Sequence, residues 1–394
     1  MAWLAHECIS PLTGDFVPAR NVGKKACLLQ SGSRLLRFRN RQRAQNRNDR
    51  PGPQTYEGRA FERNWDKLGL YSLFRGRPPM HRNVAILALC ILQSPALLAQ
   101  APIPDWCRAL PRPEYETLER VSISNFSLSD SWFEVYKPAP GVFAIYEPHQ
   151  AEETISYLIV GEKRALLFDT GMGIGDLKKV IAQLTRLPIV LLNSHTHNDH
   201  IGDNWEFSPI YGMDTDFTRQ NARGSRLAAQ AEITPDQICG ALPKGFDSKA
   251  YATRPWKITA YTHDGDHFDL GGYTVEVIAT PGHTPDAISL FDRANGLLFT
   301  GDTYYPAPIW LFRPETDLDA YAASIRRLAA LAPQVKVVMG AHNIPIASPT
   351  ILPRLVAAFD AVRAGKVQPS PDSPGKVLYK VDNISFLMRA PAAH

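Results

Sequence analysis

Short apolar runs bounded by polar turns alternate with amphipathic stretches over most of the chain after about residue 142. Apolar runs of this length predict β-strands, and apolar positions that recur at helical spacing predict helices. The pattern therefore predicts a mixed fold that ends in a hairpin around Asp382-Asn383. The predicted strands are 142–146, 155–160, 165–169, 189–193, 257–262, 273–279, 287–292, 296–300, 335–339, 377–381 and 384–388, and the predicted helices are 176–187, 317–331 and about 348–365.

The stretch from about 205 to 256 interrupts this alternation. It contains short helical patterns around 225–231 and 234–242, with turns elsewhere. Because long irregular segments inside a compact domain are usually functional, one interpretation is a cap that faces the substrate. The other interpretation is an insertion without a role in binding.

The first hundred residues differ from the rest of the chain. Residues 1–79 have poor apolar periodicity, which is typical of a disordered or non-native upstream extension; the alternative is a basic arm for nucleic acid or anionic lipid. A basic stretch, an apolar run and a small-residue cleavage site follow across 80–101, the pattern of a secretory signal peptide beginning at Met80. We therefore expect a periplasmic or secreted protein without a stable membrane anchor. If translation begins at Met1, the signal is internal and export is in question.

Composition and charge change this picture in one respect. The 394 residues are 44% hydrophobic and 21% charged, as in ordinary globular proteins. Residues 1–82 hold 16 basic and 6 acidic side chains, so the remainder carries −6 although the whole chain carries +4. Nucleic acid is therefore not an expected partner of the folded part.

The region after the signal divides into a proline-rich lead-in at 102–140 and the main domain at 141–394. Only two of the five cysteines, Cys107 and Cys239, fall in this region, and no C-x-x-C pair is present. A thiolate zinc site is thus not expected. The two cysteines would be free to pair in an exported protein, which the sequence alone leaves open.

Three histidines and an aspartate lie within six residues at the end of predicted strand 189–193. Packing does not account for such a cluster, because each group would lose solvation if it were buried without a partner. Imidazole nitrogen and carboxylate oxygen are zinc-type ligands, so the cluster predicts a metal site. The stretch reads Ser194-His195-Thr196-His197-Asn198-Asp199-His200.

Three further ligand-type residues follow other predicted strands. They are His283 in Thr280-Pro281-Gly282-His283-Thr284, Asp302 in Gly301-Asp302-Thr303, and His342 in Gly340-Ala341-His342. Strand ends on one edge of a sheet converge on a common pocket. Seven ligand-type residues brought together in this way suffice for two metal ions.

The set H-T-H-N-D-H, T-P-G-H-T, G-D-T and G-A-H, in this order, resembles the metallo-β-lactamase superfamily over roughly 142–344. The resemblance implies a four-layer αββα sandwich, an α/β fold with the site at one edge between the sheets. It also implies that His195, His197 and His283 hold a first metal. By the same resemblance, Asp199, His200 and His342 hold a second metal and Asp302 bridges the pair. The implied cofactors are two divalent ions, with Zn²⁺ as the default and iron or manganese as alternatives.

The same resemblance implies hydrolysis by a hydroxide shared between two metals, with Asp199 orienting it or relaying a proton. An aspartate at the position of Asp302 is similar to the glyoxalase II and lactonase branches. We therefore expect a small-molecule ester, thioester or lactone as the substrate. The alternatives are a β-lactamase and a metal-binding protein without catalysis.

Several neighbouring residues leave two interpretations open. Tyr304, Tyr305 and the apolar triplet 310–312 either contact the substrate or pack in the core. His263 and His267 fall outside the resemblance and are predicted to lie at the surface.

Overall fold

The computed structural model describes residues 104–123 and 132–391. The predicted signal peptide and the upstream extension lie outside the described residues. Within the described ranges, no helix has both the length and the apolar character needed to span a membrane.

Eight strands form the first sheet, in the order of the sequence. Neighbouring strands are antiparallel up to β5, and β5 to β8 are parallel. The strands are β1 (Glu119–Arg120), β2 (Glu134–Ala139), β3 (Val142–Tyr146), β4 (Ile155–Val160), β5 (Ala165–Phe168), β6 (Ile189–Leu192), β7 (Ile210–Met213) and β8 (Ala260–Thr262).

A second sheet has five strands in the order β14-β12-β11-β10-β9, and a third has four in the order β13-β17-β16-β15. In the second sheet β12 and β14 are parallel, so both end at the same edge. The strands are β9 (His267–Asp269), β10 (Thr274–Ala279), β11 (Ile288–Asp292), β12 (Leu297–Gly301), β13 (Pro308–Leu311), β14 (Val337–Gly340), β15 (Ser370–Pro371), β16 (Lys376–Val381) and β17 (Ile384–Arg389).

The described residues also form four short 3₁₀ helices and five α-helices, namely α1 (Leu177–Leu184), α2 (Asp216–Asn221), α3 (Arg226–Ala231), α4 (Leu318–Leu331) and α5 (Ile351–Arg363). Side-chain oxygens cap the N-termini of α1 to α4, as Asp317 does for α4 by accepting from two backbone N–H groups. Helices α1, α4 and α5 bury apolar faces in the core, and the layers follow from those faces.

Alternation along the strands divides the core into three clusters. In β5, Leu166 and Phe168 point into the cluster between the first two sheets, whereas Leu167 points to the cluster under α1. A third cluster packs the outer face of the second sheet against α4 and α5. The layers are therefore helix, sheet, sheet and helix, which confirms the predicted αββα sandwich.

The N-terminal part of the sheet begins before residue 141. Strand β2 pairs with β3, although the sequence pattern predicted no strand in the lead-in. A register shift between Tyr136 and Ala139 interrupts the alternation of its side chains, which explains why the strand was not predicted. Trp132 and Phe133, which precede β2, are buried under α1. The lead-in is thus part of the packed structure.

The segment 205–256 is partly regular. The helical pattern at 225–231 is confirmed by α3, and β7 adds a strand that the pattern did not reveal. The helix suggested at 234–242 is wrong, because the backbone there bonds to another segment. Ala151 N–H donates to Gln237 O and Cys239 N–H donates to His149 O.

Cys107 and Cys239 form a disulfide with their Cα atoms 5.6 Å apart. The bond joins the lead-in to the 205–256 segment, next to the backbone pairing at 149–151. Since closing a loop of 132 residues restricts the unfolded chain, we expect Cys107→Ser with Cys239→Ser to lower the free energy of unfolding by about 2–4 kcal/mol. Urea unfolding of the oxidised parent and the double variant checks this. Equal unfolding midpoints would contradict it.

Candidate metal centre

The predicted ligands lie at the ends of four strands. The histidine motif follows β6, His283 follows β10, Asp302 follows β12 and His342 follows β14. The two sheets are tied together there, because Ile288 N–H donates to Ser194 O and Ile155 N–H donates to Ala341 O. All seven side chains therefore converge on one edge between the sheets.

Two glycines permit this approach. Gly301 has φ +50°, and a Cβ there would lie 2.5 Å from the Cβ of Ser194. Gly282 has φ +145°, and its Cβ would lie 2.3 Å from the Cα of Tyr321 on α4. Any larger residue would push Asp302 or His283 away from the histidine motif.

His195, His197 and His283 form the first group of ligand atoms. His195 Nε2 lies 3.0 Å from His197 Nδ1, and His283 Nε2 lies 3.1 Å from the same atom. Three imidazole nitrogens that face one point are the donor set of a zinc-type site.

Asp199, His200 and His342 form the second group. His200 Nε2 lies 3.0 Å from Asp199 Oδ2, and His342 Nε2 lies 3.6 Å from that oxygen. This group combines nitrogen and carboxylate ligands, which also suits a divalent cation.

Asp302 lies between the two groups. Its Oδ2 is 3.5 Å from His283 Nε2, and its Oδ1 is 3.0 Å from His342 Nε2 and 3.5 Å from His200 Nε2. Both His200 Nε2 and Asp302 Oδ1 are buried and make no hydrogen bond of acceptable geometry. Buried orphan atoms of this kind are costly unless a cation binds them, so the residues present fit a metal centre.

The other ring nitrogen of each histidine has a partner. His200 Nδ1 lies 2.9 Å from Asp169, His283 Nδ1 donates to Trp310 O at 2.7 Å, and His342 Nδ1 donates to Glu152 O at 2.6 Å. His197 Nε2 donates to Glu315 at 2.7 Å, and Ser194 Oγ lies 3.1 Å from His195 Nδ1. Such partners fix the tautomer and leave the inward nitrogen free to bind metal.

Burial and neighbouring charges shift the pKa values of these histidines in opposite directions. Burial lowers the pKa of His195 and lowers that of His283 to about 4, so both rings are neutral ligands at pH 7. Burial also disfavours charge on His342, but Asp302 outweighs it and raises the pKa to about 9. The carboxylates therefore attract positive charge to the second group, and a divalent cation would supply it.

The carboxylates of the centre are ionised. Burial alone would raise the pKa of Asp302 and Asp199, but His342 and His200 reverse this and bring that of Asp302 to about 2. The pKa of Asp199 is held well below its usual range by His200 and His342. Both groups are thus available to a cation over the physiological pH range.

The surroundings of the second group are acidic. Burial, followed by the charges of Asp199 and Glu232, raises the pKa of Glu152 to about 8. Burial and Asp199 likewise raise the pKa of Glu232, which accepts from Asn198 at 3.3 Å. Arg313 is the cation that acts on Glu232. Both raised pKa values favour the neutral, protonated form of these carboxyl groups beside the second group.

Three supporting residues were not identified from the sequence. Asp169 follows β5 at the start of a glycine-rich bend, a position that could have suggested a role because it too ends a strand. Glu315 and Glu152 lie in loops with no recognisable spacing to the motifs. They come into contact with His197 and His342 only through the tertiary fold.

Of the residues left open beside the motifs, the two tyrosines and Leu311 pack in the interior, whereas Trp310 and Phe312 are half-buried. Tyr304 and Tyr305 are buried, and the Tyr305 hydroxyl bonds to Pro308 O and Trp310 N–H. In β13, Ile309 and Leu311 are core residues, whereas Trp310 is half-buried. His263 and His267 are exposed, as predicted.

Comparison with known proteins adds to this geometry. The family model described as the metallo-β-lactamase superfamily matches residues 152–342, which include all seven predicted ligands. The chain belongs to this superfamily. A solved metallo-β-lactamase superfamily protein from Sulfolobus tokodaii has 23% identity and a TM-score of 0.41, covering 60% of this chain and 91% of its own.

Two curated relatives of this superfamily chain are named as hydrolases. The acyl-coenzyme A thioesterase of Homo sapiens is 22% identical over 276 residues, 66% of this chain and 94% of its own. The hydroxyacylglutathione hydrolase GloC of Haemophilus influenzae is 25% identical over 194 residues, 48% of this chain and 85% of its own. Together with the ligand groups, these relatives identify the protein as a metal-dependent hydrolase.

Proposed function

We propose that this protein is an exported dinuclear hydrolase of small thioesters, with esters and lactones as related substrates. The observation that carries the proposal is the position of Asp302 between two groups of ligand atoms, within 3.5 Å of His283 on one side and of His200 on the other. One carboxylate in contact with both groups favours two ions over one.

We assign the seven predicted ligands as the resemblance implies. His195, His197 and His283 would hold one ion, Asp199, His200 and His342 the other, and Asp302 both. Zinc is the first choice because all donors are imidazole or carboxylate. When bound, the ions supply a water-derived nucleophile at neutral pH and polarise the attacked carbonyl.

The protein side chains hold this chemistry in place. Glu315 and the backbone oxygens of Trp310 and Glu152 orient three of the histidine rings. Asp199 is ionised and borders the acidic surroundings, so it is placed to accept a proton or to orient a water molecule. A base fixed in this way contributes to rate without reorganising during the reaction.

Thioesters are favoured as substrates because both named hydrolases among the relatives act, by their names, on thioesters of coenzyme A or glutathione. The chain after residue 82 has a net charge of −6, which opposes a nucleic-acid partner. We propose a small-molecule substrate with no nucleic-acid partner and no stable membrane anchor.

Export is supported by the disulfide between Cys107 and Cys239, since such bonds persist mainly in oxidising compartments. It agrees with the signal-peptide pattern at 80–101, which lies outside the described residues. We propose that the protein is periplasmic or secreted and that its mature chain begins near Pro102. We also propose that the segment 205–256 is a cap that faces the substrate. N-terminal sequencing of secreted material tests the start.

We expect the purified protein to contain two ions per chain and to hydrolyse acyl thioesters. Dialysis against a chelator should abolish the turnover, and Zn²⁺ should restore it, because a lost ion removes several kcal/mol of transition-state stabilisation, or roughly a thousandfold in rate. The measurements are elemental analysis of the protein and kinetics with a thioester, an aryl ester, a lactone and a cephalosporin.

Each outcome of that panel has a meaning. If the cephalosporin is hydrolysed faster than the thioester, the result favours β-lactam hydrolysis over thioester hydrolysis. Two bound ions with no turnover of any substrate would favour a metal-binding protein without catalysis. One ion per chain at full activity would contradict the dinuclear centre.

A further inference from the structure

Asp286 is a buried carboxylate that the proposed chemistry does not use. It lies three residues after the predicted ligand His283 and just before β11, and it is 2% exposed. Three threonine hydroxyls donate to its two oxygens, from Thr196 at 2.6 Å, Thr284 at 2.7 Å and Thr218 at 2.9 Å. Hydrogen bonds from hydroxyls to a carboxylate are roughly twice as strong as neutral ones, so this carboxylate fixes all three side chains.

The three donors come from three separate segments of the chain. Thr196 lies in the histidine motif, Thr284 in the turn after β10 and Thr218 on α2. All three are buried, with at most 3% of each exposed. One carboxylate thus joins the two loops that carry the first group of ligands to a helix of the 205–256 segment.

In the two loops, the partners are sequence neighbours of the first-group ligands. Thr196 lies between His195 and His197, and Thr284 directly follows His283. Each ligand of this group therefore has an adjacent residue that bonds to the carboxylate, whereas none of the three partners adjoins a ligand of the second group. Residues that hold metal ligands in their orientation tune the affinity of a site. The carboxylate is therefore placed to orient the first group.

Helix α2 reaches the same group by a second contact. Asn221 Nδ2 on this helix donates at 3.2 Å to Thr196 Oγ1, the hydroxyl that donates to the carboxylate. Phe217, next to Thr218, places its ring 5.7 Å from that of His197, edge to face. Phe217 and Asn221 also line a space of about 130 Å³ beside His197. The bond that fixes Thr218 therefore also fixes a wall of the site.

We propose that Asp286 is a positioning residue, which holds the three histidines of the first group and helix α2 as one unit. It orients the ligands through Thr196 and Thr284, and it sets the wall formed by Phe217 through Thr218. The inference rests on the proposed function, because that function assigns an ion to the first group and places the substrate beside it. One carboxylate then sets both the affinity of the first ion and the binding of substrate.

The first test measures zinc affinity, which needs no turnover. Metal-free protein is titrated with Zn²⁺ against a chromophoric chelator, and two binding constants are fitted. Asp286→Ala should weaken one ion by at least about tenfold, the lower end of the range for residues that orient metal ligands, and leave the other within about twofold. This loss should persist in a His342→Ala background and disappear in a His283→Ala background. Asp286→Asn keeps an acceptor oxygen and should lose less affinity than Asp286→Ala.

Asp292→Ala is the matched control. Asp292 is the last residue of β11, is 1% exposed and also accepts three hydrogen bonds, from Ala294 N–H and from the backbone and side-chain donors of Asn295. Because these partners belong to its own turn, this variant should lose stability but keep both zinc affinities of the parent. The comparison separates orientation of the ligands from general destabilisation.

Two threonine variants separate the ligand contacts from the helix contact. Thr196→Val lacks the hydroxyl between His195 and His197 and should lower the zinc affinity of the first group by about tenfold. Thr218→Val removes the bond between α2 and the carboxylate. It should keep both zinc affinities and raise KM for the thioester by at least about threefold, with kcat within about twofold, since one hydrogen bond that places the wall is lost.

The affinities decide the proposal. Equal zinc affinities in Asp286→Ala and the parent, or the same loss in Asp292→Ala, would overturn it. If Asp286→Ala weakens the first ion but the parent hydrolyses no thioester, the result supports the positioning role and counts against the proposed function alone.

Discussion

Asp302→Ser is expected to reduce the bound metal from two ions per chain toward one and to lower kcat/KM by at least about 10³-fold. The carboxylate lies within 3.5 Å of ligand nitrogens in both groups, and serine leaves those nitrogens without a shared anion. A metal ion contributes several kcal/mol to the transition state, and each 1.36 kcal/mol is tenfold in rate. Elemental analysis and thioester kinetics measure the two effects.

The fold should survive this change. Asp302 is buried among histidines and not in an apolar cluster, so circular dichroism of the metal-free protein should match that of the parent. The urea midpoint of the metal-free protein should fall at pH 7, because His342 loses the buried carboxylate that stabilises its charge. Asp319→Ser, an exposed position on α4, is the matched control and should keep both ions. Full metal content and full rate in Asp302→Ser would remove the basis of a shared ligand.

The convergence of the seven predicted ligands was accessible from the sequence because each follows an apolar strand within a short, recognisable motif, whereas their division between two ions came only from the family resemblance. Local pattern fixes the strand, and parallel neighbours such as β12 and β14 end at one edge, so Asp302 and His342 must meet. The four layers were predicted from the family resemblance, because β5 reads Ala-Leu-Leu-Phe and is apolar on both faces, so its sequence does not assign them.

Residues that act through distant segments could not be predicted in this way. Glu315 reaches His197 from 118 positions away, and nothing in its local pattern distinguishes it from a surface glutamate. The helical pattern at 234–242 failed because pairing with 149–151 and the disulfide at Cys239 outweigh local propensity. Tertiary contacts decide both cases.

The lead-in at 102–140 also makes tertiary contacts that its local sequence pattern did not predict. Arg112 donates to both carboxylate oxygens of Glu153, with Arg112 Nε 2.6 Å from Oε2. Glu153 is 1% exposed and also accepts from Tyr146 and, at 2.9 Å, from Asn343 Nδ2. Asn343 directly follows the predicted ligand His342. Arg112 of the lead-in therefore binds Glu153, which in turn holds the residue next to a ligand of the second group.

Backbone pairing strengthens that link. Asn343 N–H donates to Glu153 O at 3.0 Å, and the backbone of Thr154 forms an isolated antiparallel β-bridge with that of His342. Glu153 and Asn343 both have a positive φ, +48° and +63°. Residues other than glycine rarely adopt this conformation without local support. The ion pair with Arg112 provides such support.

Arg112→Ala is therefore expected to lower the free energy of unfolding by about 3–5 kcal/mol, because it leaves the buried carboxylate of Glu153 without its cation. The second ion should also bind more weakly, since Glu153 supports the backbone beside His342. Urea unfolding measures the first effect, and metal content after dialysis against a weak chelator measures the second.

A second substitution distinguishes charge from packing. In the Arg112→Ala background, Glu153→Gln removes the unpaired charge and should recover at least about half of the lost stability, because the cost lies in the buried anion. Arg108→Ala, in the same segment with an exposed side chain, should change stability by less than about 0.5 kcal/mol. If Arg112→Ala behaves like Arg108→Ala, or if Glu153→Gln recovers nothing, the lead-in does not stabilise the second ligand group through this ion pair.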